Sequence, residues 1–407
     1  MSAAWPTPAV AEFAKTSAGG TPKKSNADFY DGGTIPWLLS GEVGVRDISS
    51  AANFITEAGL KGSSAKLFPP HSVLVAMYGA TAGEVGILRF EAATNQAVCA
   101  ILPGKRHVPE YLYYYLLLAR PLLVSQAIGN AQPNISQAKI KALEIPLPPL
   151  EEQKRIVAVL DQAFAALDRA RTNAEANLAY AEELRAQAVQ GALQSLGEPE
   201  PIGPHVDLLS GFAFKSKGYS DNDEDIRLIR GDNIVQGKFR WNGVKRWPMA
   251  EREQYKRYEL ALDDVLIAMD RTWVSAGIKF SVVDEEALPC LLVQRVARLR
   301  TKPSILPRFL AYCIGSKLFE RYVLDIQTGL GVPHVSGKQI EAFEIPVPDL
   351  PTQQGLVDRL DAIHEKAGRL LVNAEAVLSD LDDLRQSILQ KAFVGELTNP
   401  DFECLPS

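Results

Sequence analysis

Few residues of this 407-residue chain could do chemistry, and their spacing is wrong for it. The turn Gly79-Ala80-Thr81-Ala82-Gly83-Glu84 lacks the Lys-Ser/Thr ending of a phosphate-cradling loop, and Gly329-Leu330-Gly331 runs into Pro333 instead of a helix. His71, His107, His205, His334 and His364 are scattered, with neither metal-ligand spacing nor a nucleophile elbow beside them. Pro69-Pro70 is preceded by Phe68 and followed by His71, so it does not form the Asn-Pro-Pro-aromatic motif that presents an amino group for methyl transfer. Glu152-Gln153-Lys154 has the form of the end of a nuclease metal site, but no Asp lies between Asp47 and Asp161 to complete one. Cys99, Cys290, Cys313 and Cys404 form no Cys-x-x-Cys pair and suggest neither a disulfide framework nor a zinc site. The sequence therefore offers no catalytic residues and no metal ligands, and the chain is expected not to be catalytic by itself.

What the chain does offer is repetition. Displaced by 200 positions and with no gap, Ser136, Ile140, Glu144, Ile145, Pro146, Pro148, Leu150 and Gln153 fall on Ser336, Ile340, Glu344, Ile345, Pro346, Pro348, Leu350 and Gln353. The match continues through Leu160-Asp161, Asn173 to Ala176 and Leu184-Arg185, which is duplication rather than chance. Each copy opens a long helix. Pro149 starts the first, Glu151 and Glu152 occupy the turn that the macrodipole favours, and no Pro or Gly interrupts Leu150 to Gln190. Some 40 residues at ~1.5 Å each span ~60 Å. A heptad seam is expected along Leu160, Ala163, Leu167, Ala170, Ala174, Asn177, Ala181, Leu184 and Ala188. In the second helix it is expected along Leu360, Ile363, Ala367, Leu370, Ala374, Val377, Leu381, Leu384 and Ile388. A second stripe with Phe164, Leu178, Leu371 and Leu378 would pack on the chain's own globular parts or dock helices of other subunits.

The chain alternates globular and helical parts: 1–148 globular, 149–197 the first long helix, 198–348 globular, 349–397 the second long helix, and 398–407 a tail. The globular segments read as mixed α/β, with Ile35 to Leu39 and Ser72 to Tyr78 as apolar strands and Glu110 to Leu123 as a helix. Asp264 to Met269, Pro307 to Tyr322 and Phe343 to Val347 follow in the same order in the second segment. Gly197 to Pro204 reads as a linker, and Leu143 to Leu147 as a closing strand. The ends of a compact segment of radius ~15 Å lie close together compared with a ~60 Å helix, so the two helices should run antiparallel in a pseudo-two-fold arrangement. Net charge is −6, with −4 on 151–200 and −5 on 351–407; the globular segments are near neutral and free to carry basic patches. The start has neither a basic segment nor an apolar stretch of signal-peptide type, and no apolar run approaches ~18 residues, so a cytoplasmic protein without a membrane partner is expected.

The paired segments Ile145-Pro-Leu-Pro-Pro-Leu-Glu-Glu-Gln153 and Ile345-Pro-Val-Pro-Asp-Leu-Pro-Thr-Gln353 resemble the lead-ins to the long helices of type I restriction-modification specificity subunits. So do Gly19-Gly20-Thr21-Pro22, Ile35-Pro36-Trp37-Leu38 and Ser210-Gly211-Phe212-Ala213-Phe214-Lys215-Ser216, in the expected order. The resemblance implies two target-recognition domains that each read half of a split double-stranded DNA sequence, and helices that bind two methyltransferase subunits. Motor-nuclease subunits would complete the restriction complex. S-adenosylmethionine, ATP and magnesium would belong to those partners, and the rod would set the spacer in the target. Phosphate contact calls for Lys, Arg and polar loops, and base readout for Arg, Asn, Gln, Ser or Thr at a groove edge. In the first domain the candidates are Lys23, Lys24, Tyr78, Thr81, Asn130, Gln132, Asn134, Ser136 and Lys139. In the second they are Lys215, Lys217, Arg230, Asn233, Arg271, Thr272, Gln327, Thr328, His334, Ser336 and Lys338, with Arg271 foremost as a base reader. The competing reading is a coiled-coil scaffold joining two protein-binding domains, which the overall acidity would suit.

Overall fold

A computed structural model describes residues 5–125, 134–326 and 333–397. The chain divides into two compact units: residues up to Ala174 together with those from Ala376 onward form one, and Glu175–Glu375 form the other.

In the first unit the main sheet comprises β1 (Thr16–Ala18), β2 (Asp47–Ile48), β3 (Val73–Ala76), β4 (Val85–Leu88) and β5 (Val98–Ile101), in the spatial order β1-β5-β3-β4-β2. All pairs are antiparallel except β2 with β4. A smaller sheet carries Ile35–Leu38 parallel to Ala92–Thr94. The unbroken apolar run of β3 follows from burial on both faces. Val73 and Val75 enter one core with Tyr111, Leu116 and Leu160, whereas Leu74 and Ala76 enter another with Leu38 and Phe68. Helix α1 (Pro109–Ser125) covers the first of these faces.

The second unit repeats this plan. Strands β6 (Val206–Ser210), β7 (Val265–Ala268), β8 (Phe280–Val282) and β9 (Val296–Thr301) form a sheet of order β6-β9-β7-β8, all antiparallel. Ile226–Ile229 runs parallel to Cys290–Leu292 in a second sheet. Again alternate residues part: Val265 and Ile267 face the core that holds Phe309 and Leu360, and Leu266 faces Ile229 and Leu292. Glycine is required where the chain passes against these sheets. A Cβ on Gly20 would lie 2.3 Å from the Ala65 nitrogen, and one on Gly211 2.2 Å from the Val293 carbonyl oxygen.

Several sequence expectations are corrected. Leu143 to Leu147 is not a strand of a sheet; it pairs with the start of the chain through Ile145 N to Pro8 O (3.1 Å) and Leu147 N to Pro6 O (2.8 Å). The supposed linker contains Pro199–Pro201, an edge strand antiparallel to Glu344–Pro346, where prolines are tolerated because one side of the strand needs no donor. The helix expected from Pro307 to Tyr322 breaks at Gly315. Helix α3 (Pro307–Ile314) ends there, and Ser316 caps the next helix, Lys317–Ile326, by accepting from Phe319 N at 3.3 Å. Among the described residues no helix is long and apolar enough to cross a membrane. Cys99 and Cys290 are buried free thiols, and burial pushes both up to about 12, which keeps them protonated and inert at neutral pH.

The long helices are α2 (Leu150–Gln194, 45 residues) and α4 (Leu350–Phe393, 44 residues). Within the first unit the beginning of α2 meets the end of α4. Leu160, Phe164 and Leu167 share a core with Leu389, Ala392 and Phe393, Arg385 pairs with Asp168 at 3.0 Å, and Arg171 pairs with Asp382. Within the second unit the end of α2 meets the beginning of α4: Val189, Ala192 and Leu193 share a core with Leu356, Val357 and Leu360, and Arg185 donates to the His364 carbonyl. The helices are therefore antiparallel, as expected. The ion pairs are exposed and contribute ~0–1 kcal/mol each; the apolar contacts dominate.

The seam itself differs from the heptad reading. Leu160, Leu167, Ala174, Ala181, Leu360, Ala367 and Ala374 are buried as expected and Leu184 is half-buried, but Asn177, Leu370, Val377 and Leu384 are exposed. Ile363, Leu381 and Ile388 are half-buried. The larger side chains one position along take the interior: Phe164 is buried, and Leu178, Leu371 and Leu378 are half-buried. Spacings of three and four fit either set, and the set that includes Phe164 removes more apolar area from water than one built on Ala163 and Ala170. Phe164 packs edge-on against Tyr114 at 5.2 Å and lies under the Arg385 guanidinium at 4.4 Å, so it belongs to the unit's own core rather than to a docking face.

Two devices tie each globular part to its helix. Gln153 is fully buried; its Oε1 accepts from Val108 N at 2.8 Å, and its Nε2 donates to the Arg106 and Pro148 carbonyls at 3.0 and 2.8 Å. Gln353 does the same with Leu306 N, Ser304 O and Pro348 O at 2.8, 2.9 and 2.7 Å. One helical turn or two beyond, Asp161 accepts from Tyr114 and from Arg46 at 2.8 Å, and Asp361 accepts from Tyr312 and from Arg308 at 2.9 Å. The arginines come from unrelated places, a loop before β2 in one unit and α3 in the other.

His364 packs at a tilt against Tyr312, with ring centroids 5.0 Å apart, beside this second clamp. Burial, helped by the Arg185 and Arg308 guanidiniums, holds its imidazole below the usual histidine range. Its contribution to stability is therefore present above the unfolded value of ~6.5 and is lost as pH falls through the lowered folded value. Urea denaturation of the second unit should show a lower midpoint at pH 5 than at pH 7.5, and His364→Gln should reduce that difference.

Candidate nucleic-acid interface

In each unit the central strand of the main sheet ends at a loop bridged to the segment that leads into the repeat. After β3, Ile135 N donates to Met77 O at 2.8 Å, and Tyr78 forms an antiparallel bridge with Asn134. After β7, Val335 N donates to Met269 O at 2.9 Å, and Asp270 bridges His334. The next residue turns left-handed in both: Gly79 at φ 74° and Arg271 at φ 47°. Such a backbone suits glycine and is uncommon for arginine. Arg271 is held in it by its amide, which donates to Pro333 O at 2.8 Å.

The same topological position thus presents unlike chemistry. In the first unit Tyr78 is 39% exposed, and the Thr81 hydroxyl donates to the Tyr78 carbonyl at 3.4 Å. Elsewhere in this unit Lys24 lines a hollow of about 550 Å³ with Tyr30, Trp37, Asn53 and Phe54. In the second unit a pocket of about 380 Å³ gathers Arg230, Arg271, Lys279 and Arg295 with Asp232 and Asp270. Asp270 accepts from Arg295 at 3.0 Å and lies 2.7 Å from His334 Nδ1, while Arg230 pairs with Asp232 at 3.2 Å. In each unit, loops that carry donors and acceptors at the end of a sheet suit recognition of a polar ligand.

The description "Type I restriction modification DNA specificity domain" matches two stretches of the chain, residues 4–177 and 208–370. This chain belongs to the type I restriction-modification specificity family. It is 25% identical over 308 residues to the MjaVIII specificity subunit of Methanocaldococcus jannaschii, covering 72% of each chain. It is also 25% identical over 430 residues to the StySPI specificity subunit of Salmonella potsdam, covering 98% of this chain and 91% of that one. A solved chain described under complex assembly and conformational transition of the type I R-M system shares the fold at a TM-score of 0.76 and 20% identity, covering 97% of this chain and 98% of that chain. In a type I specificity subunit the recognition domains select DNA sequence and the chemistry is not performed by this chain; the two matched stretches are its two recognition domains.

Some of the sequence candidates sit where a specificity subunit could use them. Lys23, Lys24, Lys215, Lys217, Arg271 and Lys338 are exposed, as are Tyr78 and Asn134. Others are occupied by the fold. Asn233 is buried, with Oδ1 accepting from Arg230 N and Nδ2 donating to Arg240 O, both at 3.1 Å. Thr272 is buried and donates to the Met269 carbonyl. Ser136 and Ser336 are helix N-caps that accept from Lys139 N and Gln339 N, each at 3.3 Å, so their recurrence is explained by capping. Lys139 follows in the first turn of the helix that Ser136 caps. Asn130, Gln132, Gln327 and Thr328 lie outside the described residues.

Sequence reasoning passed over Lys279, Arg295, Asp232 and Asp270. The only available signal was charge in loops next to an apolar strand, which many surface residues share.

Proposed function

We propose that each globular domain reads one half of a bipartite DNA target, and that the two halves differ in sequence. The observation that carries this is the pair of equivalent loop clusters after β3 and β7, alike in backbone bridging and unlike in side chains: Tyr78, Gly79 and Asn134 in one, Asp270, Arg271 and His334 in the other. Equivalent frames with different hydrogen-bonding edges select different base pairs. Exposed lysines of each domain supply phosphate contacts that position the duplex without reading it.

Two methyltransferase subunits dock on the helices, and motor-nuclease subunits complete the complex in the cytoplasm. S-adenosylmethionine, ATP and magnesium serve those partners. The docking residues are better sought among exposed apolar positions of α4 than among Phe164, Leu178, Leu371 and Leu378. Leu370 and Val372 are 42% and 65% exposed in the second unit, and Val377 and Leu384 are 43% and 47% exposed in the first.

Methylation-sensitive long-read sequencing of DNA from cells carrying this chain with its methyltransferase should show one motif of two unlike halves around a fixed non-specific spacer. A single contiguous motif, or none, would overturn the reading.

A further inference from the structure

The pocket after β7 holds more cations than its carboxylates neutralise. Arg230 is paired to Asp232, and Arg295 to Asp270. Among the described residues, no side-chain hydrogen bond or ion pair engages Arg271 or Lys279. Arg271 is exposed. Lys279 is half-buried, and burial, against the pull of Asp232 and with the push of Arg240 and Arg271, holds its ammonium below the usual lysine range. Among the described residues these two donors are left to water or to a ligand.

The backbone also holds the site open for them. Arg271 and Arg295 both adopt left-handed φ, 47° and 67°, a conformation that non-glycine residues keep only when surrounding contacts enforce it. Here the contacts are Arg271 N to Pro333 O and Met269 N to Arg295 O, each 2.8 Å. The clasp of Asp270 with Arg295 and His334 ties the loops together, which makes Asp270 a positioning residue.

A phosphate would be a poor occupant, since Asp232 and Asp270 line the same pocket and would repel it. A base-pair edge fits better. A G·C pair presents guanine N7 and O6 as acceptors followed by the cytosine N4 donor, whereas an A·T pair interposes a donor between its acceptors. Arg271 and Lys279 can only donate, and Asp232, 72% exposed at its side chain, can only accept. Resting on the DNA-recognition reading above, we infer that this pocket reads one G·C pair in the major groove, with Arg271 and Lys279 donating to guanine and Asp232 accepting from cytosine. The first domain, with Gly79 where Arg271 stands, has no such cation there and reads its half-site by other means.

The test is selection of bound duplexes from a random DNA pool by the full chain assembled with its methyltransferase subunits, in wild-type, Arg271→Ala, Arg271→Gly and Lys279→Gln forms. Glycine accommodates φ 47° without strain, so the second variant keeps its fold even if alanine disturbs the loop. Wild type should enrich a guanine at a fixed position of one half-site. Each variant should lose discrimination there by roughly 10- to 100-fold while the other half-site is unchanged. Relaxation at an A·T position, or an unaltered motif in all variants, would overturn the inference and leave bipartite recognition standing. So would uniform weakening on every sequence with a shallower salt dependence, which marks a phosphate contact. Failure of the wild type to enrich any motif would remove the DNA-recognition reading itself.

Discussion

Gln353→Ala should lower the stability of the second unit by about 2–5 kcal/mol, read as a shift in its urea midpoint. The side chain is fully buried and makes three hydrogen bonds to main-chain groups at Leu306, Ser304 and Pro348. Truncation leaves one amide and two carbonyls without partners in a region where water must enter to replace them. Gln353→Glu should be at least as damaging, because a carboxylate cannot donate to the two carbonyls and would be a buried charge. Gln153→Ala should act in the same way on the first unit through Val108, Arg106 and Pro148. A change below about 0.5 kcal/mol in both would mean that the glutamines are not the staples described.

Phe164→Ala should cost the first unit about 3–5 kcal/mol, the range for removing a buried aromatic ring from a packed core. The ring is 6% exposed and sits among Tyr114, Leu160 and Arg385. This result separates two roles that a helix-surface phenylalanine could have. If Phe164 served partner docking, the isolated chain would keep its stability and lose affinity for methyltransferase. The fold instead requires that the isolated chain be destabilised, measurable by thermal denaturation without any partner. Leu384→Ala, at an exposed position of the same unit, should barely move that midpoint, because its apolar area is already in water.

The contrast between Phe164 and Leu384 shows how far a periodic pattern can be read. The long helices were legible because uninterrupted runs and a duplicated lead-in need no tertiary information, and their antiparallel pairing followed from chain geometry. Which apolar stripe forms the seam was not legible, because two stripes one position apart satisfy the same spacing. Volume decides between them only once the facing surface exists: Phe164 has Tyr114 and Arg385 to pack against, whereas Asn177 stays exposed.

The repeated Gln153 and Gln353 make the same point for polar groups. Their recurrence was visible, but not its cause, since an amide at a helix start is ordinarily solvated. Burial by the loops before α1 and α3 turns each into a staple. Ser136 and Ser336, repeated and polar in the same way, prove to be helix caps.

By itself the sequence determined the duplicated architecture, the two long helices and the mixed α/β character of the globular parts, all of which are written in local periodicity or in a repeat; the specificity-subunit family was legible only through the resemblance of its motifs. The tertiary structure alone decided which charged groups of the second domain share one pocket. Arg230, Asp232, Asp270, Arg271, Lys279 and Arg295 come from three separate loops, and which cations are neutralised depends on distances that chain order does not encode. Spacing along a chain constrains helix and strand faces, but charge pairing across loops is a property of the folded surface.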